Sequence, residues 1–64
     1  MILTLKDWLQ ENEFDFSDIE NGDIKIYDQD NISIVVDEYE LDDYEIIDTF
    51  TEEGVWIVVV DFIR

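Results

Sequence analysis

The 64-residue chain has no cysteine, no histidine, no proline, two glycines and three basic residues. Each shortage removes something. Without cysteine there is no disulfide framework and no thiolate metal site. Histidine is absent, and neither of the two serines, Ser17 and Ser33, has an evident base partner. The usual general-base and triad arrangements are therefore missing, and no enzyme is expected. Three cations cannot form a basic patch, which excludes direct nucleic-acid binding. The longest apolar run, VWIVVV at 55–60, is far too short to span a bilayer. The N-terminal MILTLKDW lacks the basic and apolar regions of a signal peptide. These absences point to a cytoplasmic protein with no membrane partner.

What is present is charge and apolar bulk together. Nineteen acids against three bases give a formal charge of −16. About 2 to 8 units suffice to keep a small domain soluble, so solubility alone is a thin explanation. Hydrophobic residues make up 47% of the chain and aromatics 14%, too rich for a disordered acidic tail. A chain of this size buries only about 60% of the surface it exposes when unfolded. The expectation is one acidic domain, residues 1–64, stabilised by its core or by self-association.

The hydrophobic periods predict an α+β fold. One short N-terminal helix packs on a three- to five-stranded antiparallel sheet, a meander of hairpins. Thr4 reads as the helix N-cap, and Leu5, Trp8 and Leu9 make one apolar face of a helix over residues 5–12. Phe14 and Phe16 fit a short strand or a loop with a helical turn starting at Ser17. Asn21-Gly22 is a hairpin signal. Ile24 and Ile26 share one strand face, and residues 28–31, DQDN, read as a turn. A strand is expected over residues 32–41, ISIVVDEYEL, with Ile32, Ile34 and Val36 facing one way. Two further strands flank the turn EEG at 52–54, where Gly54 takes the left-handed conformation. The last of these strands is apolar on both sides: Trp56, Val58, Val60 and Phe62 on one, Val55, Ile57, Val59 and Ile63 on the other. Such a strand is either central and doubly covered, or its second face is an interface. Val55, Ile57, Val59 and Ile63 are accordingly candidates for a homodimer contact.

Residues 35–50, VVDEYELDDYEIIDTF, combine seven acids with two tyrosines. As a strand, residues 33–42 would put Glu38, Glu40 and Asp42 on one face and Asp37, Tyr39 and Leu41 on the other. Same-face residues repeat about every 6.6 Å, against one phosphate about every 3.4 Å per strand of a duplex. A folded acidic row is preorganised, whereas a disordered tail must be ordered on binding. Asp37, Glu38, Tyr39, Glu40, Asp42, Asp43, Tyr44 and Glu45 are the candidate target-binding residues, with the tyrosines as anchors. No cofactor or metal is expected. Asp28 and Asp30 begin a calcium-loop spacing, but Ile32, Val36 and Tyr39 occupy positions where an EF-hand needs oxygen ligands.

In size, sign of charge and aromatic content over the whole chain, the sequence resembles the small acidic phage-encoded inhibitors that mimic DNA. That class includes anti-CRISPR proteins, anti-restriction proteins and uracil-DNA glycosylase inhibitors. The resemblance is compositional and carries over no site residues. It implies a basic nucleic-acid-binding protein, a nuclease or repair enzyme, as the partner, in the host cytoplasm. The alternative is an immunity or antitoxin-like protein that neutralises a basic toxin.

Self-repulsion at this charge density opposes folding. At about 0.1 M ionic strength the Debye length is roughly 10 Å. The melting temperature should therefore rise between low and moderate salt. A melting temperature that does not move would show the carboxylates to be locally paired.

Overall fold

The computed structural model describes residues 2–30 and 33–63. Helix α1, Leu5–Glu11, starts where the sequence places it. The Thr4 hydroxyl accepts a hydrogen bond from the Asp7 backbone N–H at 3.1 Å, satisfying one amide that the first turn leaves free. Asn12 is the C-cap, and Glu13 beyond it adopts φ 62°. The Phe14 and Glu13 N–H groups then donate to the Leu9 and Gln10 carbonyls, closing the helix in a Schellman turn.

A second helix, α2, Phe16–Glu20, follows at once. Asp15 caps it in a capping box with Asp18, and the chain goes helical rather than extended at Phe16. This overturns the hairpin expected at Asn21-Gly22. Asn21 is instead the α2 C-cap, and Gly22, at φ 85°, is its left-handed terminator. Asp23 and Gly22 donate to the Asp18 and Ile19 carbonyls in a second Schellman turn. Gly22 supplies left-handed backbone, and here a helix end uses it.

Three strands form one sheet: β1 Ile24–Asp28, β2 Tyr44–Glu52 and β3 Val55–Phe62, in the order β1-β3-β2. The sheet is mixed, which corrects the expected antiparallel meander. β2 and β3 are an antiparallel hairpin, but β1 runs parallel to β3. The connection from β1 does not return in a tight turn. Asp30 N–H donates to the Asp28 carboxylate within the expected turn, whose Asn31 lies outside the described residues. Ser33 and Ile34 then bond back to the free edge of β1. The chain next enters a 3-10 helix, Glu38–Asp43, and reaches β2 on the far side of β3.

That 3-10 helix takes the place of the C-terminal part of the strand expected from Ile32 onward; Ile32 itself lies outside the described residues. Asp37 caps it, its carboxylate accepting from the Tyr39 N–H at 2.9 Å. The acid-dense sequence is a poor strand former, and acids suit a helical first turn. Helical backbone also lets Leu41 enter the core while the residues beside it stay outside.

The core lies on one side of the sheet. Leu5, Trp8 and Leu9 of α1 pack with Ile24, Ile26, Val36, Leu41, Val58 and Val60. Trp8 stacks on Phe14 and meets Trp56 edge-on, each with ring centroids 5.6 Å apart. A helix of seven residues is marginal alone, and this aromatic contact pins it to the central strand.

The β2–β3 hairpin turns through Glu53 and Gly54, at φ 52° and 81°. Two successive positive φ values make a type I′ turn, which favours Asn-Gly. Glutamate there is strained by about 1 kcal/mol. Glu53→Asn should raise the unfolding free energy by about 1 kcal/mol, seen as a higher urea midpoint at an unchanged m-value. An unchanged midpoint would show the turn to be unstrained.

Candidate functional site

The capped 3-10 helix gathers most of the candidate binding residues. At about 2.0 Å rise per residue its six residues extend only about 12 Å. Asp37, Glu38, Glu40, Asp42 and Asp43 are thus crowded onto a knob instead of spaced along a strand. The single-file row of Glu38, Glu40 and Asp42 does not exist, because successive residues of a three-residue turn point in different directions. Glu38, Asp42 and Asp43 are exposed and Glu40 is half-buried. Tyr39 stands at the surface, 90% exposed. Lys6 of α1 approaches Asp42 at 3.7 Å, an exposed ion pair of small energetic weight. A groove of about 520 Å³ runs beside the knob, lined by Lys6, Leu9, Phe14, Glu38, Tyr39 and Asp42 among others.

Two of the candidates stand apart. Tyr44 is the first residue of β2 and is half-buried against the core, with its ring edge-on to Phe62 at 5.6 Å. Burial pushes its phenol pKa up, and the negative fields of Glu40, Asp43 and Asp37 add to the shift. It anchors the start of the strand and presents little ring to a partner. Glu45 lies on β2 opposite Asp61, on the side of the sheet away from the helices. Two carboxylates directly opposed across strands repel. The Asp61 carboxylate also accepts a hydrogen bond from Gln29 at 3.3 Å.

On that other side of the sheet, β3 presents Val55, Ile57 and Val59. They do not belong to the core cluster. Both helices pack on the opposite face. Ile57 is nevertheless only 7% exposed; its register neighbours are Lys25 of β1 and Phe50 of β2, one on each side. Val59 lies between Tyr27 and Asp48. Ile63, half-buried, follows the end of the strand, and its N–H donates to the Asp43 carbonyl at 2.7 Å. Lys25, Tyr27 and Phe50 complete this face. Their alternation within β1 and β2 is visible in the sequence, but their place beside β3 depends on strand order.

Every one of the nineteen acids lies at least partly exposed. Asp15, which lines the groove beside the knob, is held below the usual carboxylate range, chiefly by the hydrogen bond from the Ser17 hydroxyl. Among the described residues no group of three acidic, cysteine or histidine side chains is arranged to hold a metal ion. No described helix is long and apolar enough to cross a membrane. Comparison with known protein families, curated proteins and solved structures finds no match.

The raised pKa of Tyr44 gives a stability prediction with a definite sign. Its neutral form is favoured in the folded state, so its contribution is fully present below the unfolded value of about 10. That contribution is lost as pH rises through the higher folded value. Urea unfolding from neutral to alkaline pH should show wild-type stability falling more steeply above about pH 10 than that of Tyr44→Phe. Parallel curves would mean that Tyr44 ionises freely in the folded state.

Proposed function

We propose that the protein is an acidic inhibitor that mimics nucleic acid and occupies the basic DNA- or RNA-binding channel of a defence or host enzyme. A CRISPR nuclease is the first target class, followed by restriction and DNA-repair enzymes. The observation that carries this reading is the disposition of charge. All nineteen carboxylates lie at least partly exposed, and the chain holds sixteen fewer basic residues than acidic ones. A basic channel evolved to neutralise phosphates supplies what the chain lacks.

Backbone strain supports the same reading. The two non-glycine residues with positive φ are both glutamates, Glu13 and Glu53, among the described residues. Glycine or asparagine would sit there more easily. Solubility does not need charge at strained positions of a chain already far from neutral. The knob is fixed by its Asp37 cap and by buried Leu41, so its carboxylates are displayed without an ordering cost on binding.

The test is inhibition of purified CRISPR nucleases, restriction endonucleases and uracil-DNA glycosylase on duplex or single-stranded substrate. Combined Glu38→Gln, Glu40→Gln and Asp43→Asn spares the Asp37 cap and the Lys6–Asp42 pair. It should leave the protein folded and weaken inhibition by about tenfold or more, about 1.4 kcal/mol. The wild-type association rate should fall with salt. A protein that neither inhibits any of these enzymes nor competes with their substrates does not act as a nucleic-acid mimic on them.

A further inference from the structure

The helix-free face of the sheet is apolar at its centre and acidic at its margin. Tyr27, Phe50, Ile57 and Val59 occupy adjacent register positions on it. Phe50 is 44% exposed although it lies mid-strand. Around this centre the same register places Glu45, Asp48, Glu52 and Asp61, and the only described cation on the face is Lys25. An apolar centre within a charged rim is the anatomy of a protein interface.

A second copy of the chain is a poor occupant. Face-to-face pairing would oppose carboxylate margins on two bodies that each carry −16. Like charges brought together across an interface cost several kcal/mol. Three strands and eight residues give a face only about 15 Å wide and 25 Å long. A standard interface buries about 800 Å² on each side, so this small face offers little to offset such repulsion. A partner with lysines and arginines around an apolar centre meets no such penalty.

We infer that this face is a docking surface for a basic protein, with Tyr27, Phe50 and Val59 as its apolar seat over buried Ile57, and Glu45, Asp48, Glu52 and Asp61 as its charged margin. It rests on the reading that the partner is a basic protein, and gives that partner a second, apolar point of contact away from the acidic knob. The knob attracts by charge; the sheet face adds contact that salt does not screen.

Two synthetic probes separate these contributions: a peptide alternating leucine and lysine, and an oligolysine with the same number of lysines. Amide shifts of the labelled protein are mapped with each at about 0.15 M salt, and the free protein is sized by sedimentation equilibrium. The free protein should be a monomer. The leucine–lysine peptide should bind at least about tenfold more tightly than oligolysine, with shifts centred on Tyr27, Phe50, Ile57 and Val59. Phe50→Ser should weaken it by about tenfold, as loss of an interface aromatic does. Val59→Thr, which suits a strand, serves if Phe50→Ser unfolds. Equal affinity for the two peptides, shifts confined to residues 37–43, or a wild-type dimer that Phe50→Ser dissociates would each overturn the assignment. The enzyme panel is read separately. Peptide seating with no enzyme inhibited removes the nucleic-acid mimicry and keeps the face, and the converse result removes only the face.

Discussion

One sheet face, packed against a seven-residue helix, must hold the chain together against its own charge. Leu5, Val58 and Val60 are the fully enclosed side chains, and Trp8 ties α1 to Trp56 at the heart of the central strand. No buried polar or charged side chain interrupts this core among the described residues. That absence matters here, since a small domain has little free energy in reserve. The carboxylates are all accommodated at the surface, and their mutual repulsion is spread around the molecule and screened by salt.

The same constraint shapes both candidate surfaces. Acids between Asp37 and Asp43 cannot enter the core, yet Leu41 must. A capped 3-10 helix satisfies both demands, and the acids emerge as a knob. On the sheet, the two helices cover one face and no further element covers the other among the described residues. Apolar side chains of β3 on that second face are sheltered only by their neighbours in β1 and β2. The molecule thus offers a charged projection and a flatter apolar face.

Much of the local structure was legible in the sequence. Thr4 and the Leu5, Trp8, Leu9 spacing located α1, because capping and amphipathic period act within one turn. Gly54 marked the hairpin, and β3, apolar on both sides, is the central strand, although the described helices cover only one of its faces. The candidate residues Asp37 to Asp43 do fall together, though on a capped 3-10 helix. Tyr44 and Glu45 diverge from them because β2 begins there, and strand backbone sends successive side chains to opposite faces.

By itself the sequence determined the excess of carboxylates, the lack of histidine and cysteine, the first helix and the apolar strand. These depend on composition and on neighbours a few residues apart. Only the tertiary structure decided that Asn21-Gly22 ends a helix, that β1 lies parallel to β3, and that Lys25, Tyr27 and Phe50 flank Ile57 and Val59. The reason is one of range. An Asn-Gly pair suits a hairpin turn or a helix end with a left-handed glycine, and the choice falls to whichever packing buries more. Strand order is set by contacts between segments some thirty residues apart, where β3, apolar on both faces, gains most by lying between the other two.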